Sequence, residues 1–147
     1  MKALSAVLLV LSLPLCAAAG DKTIYGEDNR LDFFEVTSPL ERSAMMKAVS
    51  IFRATALEED GGGFRVKGGV FGSEARRLCP GQRFLEQRGG AYCSGTLIGP
   101  DLVLTAGHCM GEMNKPADRC ASARFVFGFA VENRGDVPSR VSAADVY

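Results

Sequence analysis

Tryptophan is absent from the 147 residues, and histidine occurs once, at His108. A core therefore rests on Phe, Leu, Val and Ile. A zinc centre is disfavoured, because there is one histidine and no C-x-x-C pair. The same lack of C-x-x-C, with no thioredoxin-like βαβ pattern, argues against a redox function. Neither charge sign dominates: Lys and Arg total 17, Asp and Glu total 17. No run of like charges suggests nucleic acid or a membrane surface as partner. Internal repeats and low-complexity segments are missing too. No apolar run reaches the roughly 20 residues that a membrane span needs. What remains is ordinary globular chemistry, 47% apolar and 23% charged, enough for one domain with a core.

The beginning of the chain has its own composition. Lys2 supplies a short positive region, and Ala3 to Leu15 is apolar apart from Ser5, Ser12 and Pro14. Ala17-x-Ala19 then provides a small-residue cleavage site. Residues 1–19 read as a signal peptide, the mature chain begins at Gly20, and the product is exported, either secreted or periplasmic. After signal removal no membrane association is expected. Leu13-Pro14-Leu15-Cys16 also resembles a lipobox, although Leu15 is larger than such a site prefers, and lipid attachment at Cys16 stays open as an alternative. Cleavage removes Cys16 and leaves four cysteines, Cys79, Cys93, Cys109 and Cys120. In an oxidising compartment an even number is expected to pair.

Further along, short apolar segments alternate with turns. Ser38-Pro39-Leu40-Glu41 is a helix start: Ser38 caps, Pro39 suits the first helical position, and Glu41 reaches back. A helix to about Lys47 follows, then a strand over Ala48–Ala54. Glu58 to Gly63 is a polar, glycine-rich break that reads as a solvated hairpin turn. Phe64–Val70 is a second strand, and Ser73–Gln87 a loop around Cys79. Tyr92–Ile98 alternates as a half-buried strand does, Gly99-Pro100-Asp101 turns, and Leu102–Thr105 returns, giving a hairpin. Met110–Arg119 is a polar loop. Phe125–Val131 is strand-like, Asn133–Pro138 is a loop, and Val141–Tyr147 begins another strand. Many short strands between turn signals predict a mostly β fold, a sandwich or barrel.

His108 sits just past the end of the Leu102–Thr105 strand, where a rigid element meets a loop. A general base needs that rigidity, because proton transfer depends on hydrogen-bond reach to the nucleophile. The seventeen residues Cys93 to Cys109, CSGTLIGPDLVLTAGHC, resemble the histidine motif of the trypsin/chymotrypsin family of serine proteases. Ile24 to Arg30, the helix near residue 40 and Phe125 to Phe129 resemble the bacterial secreted glutamyl endopeptidase-like (V8-like) branch. The resemblance spans roughly residues 24–147. It implies that His108 is the catalytic general base and that Cys93 and Cys109 are bonded to one another. Cys79 and Cys120 are then left over, to pair with one another or with partners beyond Tyr147. The implied fold is the first barrel of a trypsin-like double β-barrel, and residues 20–147 would be the N-terminal part of such a peptidase domain. The implied partner is a protein or peptide substrate, with no cofactor and no metal.

The rest of a triad has no match. The family places its aspartate in D-x-A-L/V and its serine in G-x-S-G-G, and neither occurs here. Asp145 follows His108 too closely to be assigned. Ser94 belongs to the histidine hairpin, and Ser139 and Ser142 have no glycine context. The expectation is a serine endopeptidase fragment supplying the histidine only, with an inactive pseudo-protease that acts by binding as the alternative. Two segments could mark an activation cleavage, one before Ile24 and one at Arg65-Val66-Lys67-Gly68-Gly69. The second reads better as plain strand.

Overall fold

A computed structural model describes residues 27–73, 78, 81–111 and 120–147. The expected signal peptide, Cys16, Gly20, Ile24 and Cys79 lie outside the described residues, as does most of the expected loop before Cys120.

The helix start is as the sequence reads at Ser38 and Pro39. In α1 (Pro39–Met45) the Ser38 hydroxyl accepts from the Glu41 backbone N–H at 3.4 Å, and Pro39 occupies the first turn. The helix stops at Met45, two residues before the expected end. Arg42 ties it to the preceding segment. Its guanidinium lies 4.2 Å from the Phe33 ring centre and donates to the carbonyls of Phe33 and Val36.

Among the described residues seven strands follow: β1 (Ala48–Arg53), β2 (Leu57–Asp60), β3 (Gly63–Val66), β4 (Cys93–Gly99), β5 (Leu102–Thr105), β6 (Ala123–Phe127) and β7 (Arg140–Ser142). They form two antiparallel sheets, ordered β5-β4-β1-β6 and β2-β3-β7. β1 lies between β4 and β6, so both its edges are paired. Val49 and Ile51 share one face with Phe125 and Phe127, and Phe52 points the other way with Val126. That second face packs on the smaller sheet, where Phe52, Val126 and Val66 form the buried cluster. Phe129 meets Phe52 edge-on, ring centres 5.4 Å apart.

Four expectations need correction. Glu58–Asp60 is strand, not break: only Gly61 and Gly62 turn, with φ of 55° and 87°. Both central residues with positive φ make the two-residue turn that matches strand twist. The acidic residues are tolerated because partners face them. Arg65 pairs with Glu58 at 2.9 Å, and Arg140 pairs with Asp60 at 2.8 Å. Next, β6 ends at Phe127 rather than Val131, because Gly128 takes φ of 65° and breaks the ladder. Finally, Val141–Tyr147 is not one strand. β7 gives way to a 3-10 turn over Ala143–Asp145, capped by the Ser142 hydroxyl. The chain then crosses to the other sheet, where Val146 bridges Val126 and Tyr147 exchanges backbone hydrogen bonds with Phe125. This crossing links the two sheets. The expected strand Phe64–Val70 is also shorter, with Val70 making only an isolated bridge to Arg88.

Candidate active site at the histidine hairpin

The site is built on the β4–β5 hairpin. Along β4 the burial alternates residue by residue, as the sequence pattern requires. Cys93, Gly95, Leu97, Val103 and Thr105 face inward, while Ile98, Leu102 and Leu104 are exposed on the other side. The turn is tighter than the sequence suggests. Gly99 pairs with Leu102, so only Pro100 and Asp101 connect the strands, with an irregularity between Leu97 and Gly99.

Gly95 shows why the strand carries a glycine. A Cβ at this position would lie 2.7 Å from a Val103 methyl, 2.9 Å from the Leu104 carbonyl oxygen and 3.1 Å from Val49. β4 is thus squeezed between its two neighbours at the point where the hairpin joins β1. A glycine inside a strand signals such close approach, although the sequence does not say to what.

After Thr105 the chain enters a 3-10 turn over Gly107–Met110, an element the sequence reading missed. The turn carries His108 outward into solvent and Cys109 inward, 3% exposed. Two links hold the turn and the strand end before it to β4. Cys93 and Cys109 form a disulfide across 16 residues, with Cα atoms 5.9 Å apart. The Thr105 hydroxyl donates to the Ser94 carbonyl at 2.7 Å. The His108 ring lies beside the crosslink, with a ring nitrogen and both sulfurs mutually within 4.8 Å. Those sulfurs are bonded to one another and are not thiolates, so in this state they offer no strong metal donors.

Other residues weighed in the sequence lie elsewhere. Ser94 points to the exposed side of β4, and its carbonyl is engaged by Thr105. Ser142 caps the 3-10 turn that contains Asp145. Asp145 lines an apolar groove of about 840 Å³ with Leu97, Val103, Phe125, Phe127 and Tyr147. His108 does not line that groove. Cys120 is exposed with a free thiol, and its suggested partner Cys79 lies outside the described residues. Arg65 and Val66 are inside β3, and Val66 is 2% exposed in the core.

A second polar cluster lies away from the hairpin. Asp28 and Arg30 form a bidentate pair, both contacts at 2.8 Å. The Arg30 hydrogen bonds hold the Asp28 carboxyl down at about 2. Arg83 joins this segment to residues 81–88, donating to the Asp28 carbonyl and the Glu35 carboxylate. Phe84, at φ of 67°, lies under the guanidinium groups of both Arg30 and Arg83.

The trypsin family model matches residues 70–139. The match takes in the histidine hairpin, the 3-10 turn and β6, just under half of the chain. Over that segment the chain is similar to the trypsin family. The mostly β architecture of two antiparallel sheets agrees with such a fold. No curated protein and no solved structure matches the chain. Among the described residues, no helix is long and apolar enough to cross a membrane. β1 lies outside the matched segment, yet it is the strand that β4 and β6 both pair with.

Proposed function

We propose that this chain is the histidine-bearing part of an exported serine endopeptidase of the V8-like branch, with His108 as the general base. The observation that carries the reading is the hairpin itself. An exposed imidazole stands at the end of a half-buried strand, on a turn crosslinked to the neighbouring strand, within the segment the trypsin family model matches. Crosslink and strand together restrict where the ring can go, as proton transfer over hydrogen-bond distance demands.

In the mechanism, His108 takes the proton of a serine hydroxyl as the oxygen attacks the scissile carbonyl. The imidazolium then returns the proton to the leaving amine, and water hydrolyses the acyl-enzyme by the same route. The serine and the aspartate that orients the ring have no match among these residues. In this reading the serine belongs to a second barrel. The exposed Ile98, Leu102 and Leu104 offer an apolar surface that such a barrel would cover. The binding alternative, a pseudo-protease without hydrolysis, is favoured by the missing D-x-A-L/V and G-x-S-G-G patterns alone.

The test is to read the coding sequence beyond Tyr147 and assay the encoded protein. Segments of the D-x-A-L/V and G-x-S-G-G type, with peptide hydrolysis that His108→Ala lowers by several orders of magnitude, would support the protease. A verified stop codon, with no hydrolysis and no labelling by a serine-directed phosphonate, would leave the binding reading. The 147 residues alone are expected to give no turnover.

A further inference from the structure

We propose that reduction of the Cys93–Cys109 disulfide converts the histidine turn into a binding site for a soft divalent cation such as zinc, held by Cys93, Cys109 and His108. The three ligand atoms already lie within 4.8 Å of one another. Tetrahedral zinc with sulfur at 2.3 Å and nitrogen near 2.0 Å places its ligands roughly 3.6–3.8 Å apart. The nitrogen therefore needs little movement, and the sulfurs need only turn apart on release.

The hairpin keeps the ligands together without the crosslink. β4 and β5 remain joined by their backbone ladder from Gly95–Thr105 to Gly99–Leu102, and by the Thr105 hydroxyl bond to the Ser94 carbonyl. β4 is also paired with β1 along Cys93 to Thr96, which fixes the Cys93 backbone independently. Cys109 is buried, Cys93 half-buried and His108 exposed, so the cation enters from the histidine side.

The chemistry balances with a dithiol reductant. The dithiol gives two electrons and two protons, becomes a disulfide, and leaves two thiols on the chain. A divalent cation then displaces both thiol protons to solvent and binds two thiolates and the neutral imidazole. Two thiolates cancel the charge of the cation. The fourth position stays open to water, as in three-ligand zinc sites. The bound state withholds the His108 lone pair and protects both thiolates from reoxidation, so metal and disulfide are mutually exclusive.

Cobalt(II) is the probe, because thiolate ligation gives it a charge-transfer band. The full chain with Cys16, Cys79 and Cys120 changed to serine is reduced with a phosphine, desalted under argon and titrated. The expected result is one equivalent bound with a thiolate band in the reduced chain, and no band in the oxidised chain. His108→Ala is expected to weaken binding at least about tenfold, the loss that even an outer-shell partner costs. Equal affinity in His108→Ala would overturn the proposal, as would an undiminished band in Cys109→Ser. Loss of the far-UV strand signal on reduction would also overturn it, since the hairpin would then not hold the ligands. The readout is spectroscopic and independent of proteolysis, so failure of the protease reading leaves it standing.

Discussion

Removing the crosslink is the most direct probe of what fixes the histidine turn. In Cys93→Ala/Cys109→Ala the folded chain keeps the hairpin ladder and the Thr105–Ser94 hydrogen bond. The unfolded chain changes more, because a closed loop spanning 16 residues is opened. Loop-closure entropy for that length comes to about 3 kcal/mol at 25 °C. Cys109 is 3% exposed, and alanine in its place leaves a small void without an unpaired polar atom. Domains of this kind are stable by roughly 5–15 kcal/mol, so the variant should fold with a clearly lower margin. Urea denaturation followed by far-UV circular dichroism reads this directly. With a slope of roughly 1–3 kcal/mol per molar, the midpoint should fall by about 1–3 M. The slope itself should rise, because the unfolded chain without the bond exposes more surface. A shift below roughly 0.3 M at unchanged slope would refute the reasoning. It would mean that the bond neither restricts the unfolded chain nor supports the folded one.

Other substitutions test the packing around the same site. Gly95→Ala puts a methyl against Val103, Val49 and the Leu104 carbonyl. Overpacking of this kind should cost roughly 1–3 kcal/mol, visible as a lower urea midpoint. Phe52→Ala removes a fully buried ring from the cluster with Val66, Val126 and Phe129, and should cost roughly 3–5 kcal/mol in the same assay. The Asp28 carboxyl should titrate near 2 in the folded chain, against 3.8 for the free side chain, by NMR. Its folded value is depressed, so the stability it contributes is present above about 4 and lost as the pH falls towards 2. Arg30→Ala should return it towards 3.8, because the Arg30 hydrogen bonds are the main cause.

The parts that could be read early share a physical basis. The β4–β5 hairpin is local: its alternation, its turn and its returning strand all lie within Cys93–Thr105. Ser38 and Pro39 start α1 through contacts within one turn of helix. The misreadings involve distant partners. Glu58 and Asp60 look like loop until Arg65 and Arg140 face them, the latter 80 residues away. Gly128 lies inside the expected strand Phe125–Val131, but its positive φ ends the ladder with β1. Val141–Tyr147 reads as the start of one strand, yet serves two sheets in succession.

Around His108, the sequence by itself determined the chemistry on offer: one imidazole, two cysteines 16 residues apart, and a strand to carry them. Those follow from residue identity and short-range alternation, which the chain states directly. The tertiary structure alone decided that the imidazole faces solvent beside the crosslink, that Gly95 is a point of contact between strands, and that β1 separates β4 from β6. These depend on which strands pair across long stretches of chain. Pairing is settled by burying Val49, Ile51, Phe52 and Val126 together, not by any local preference.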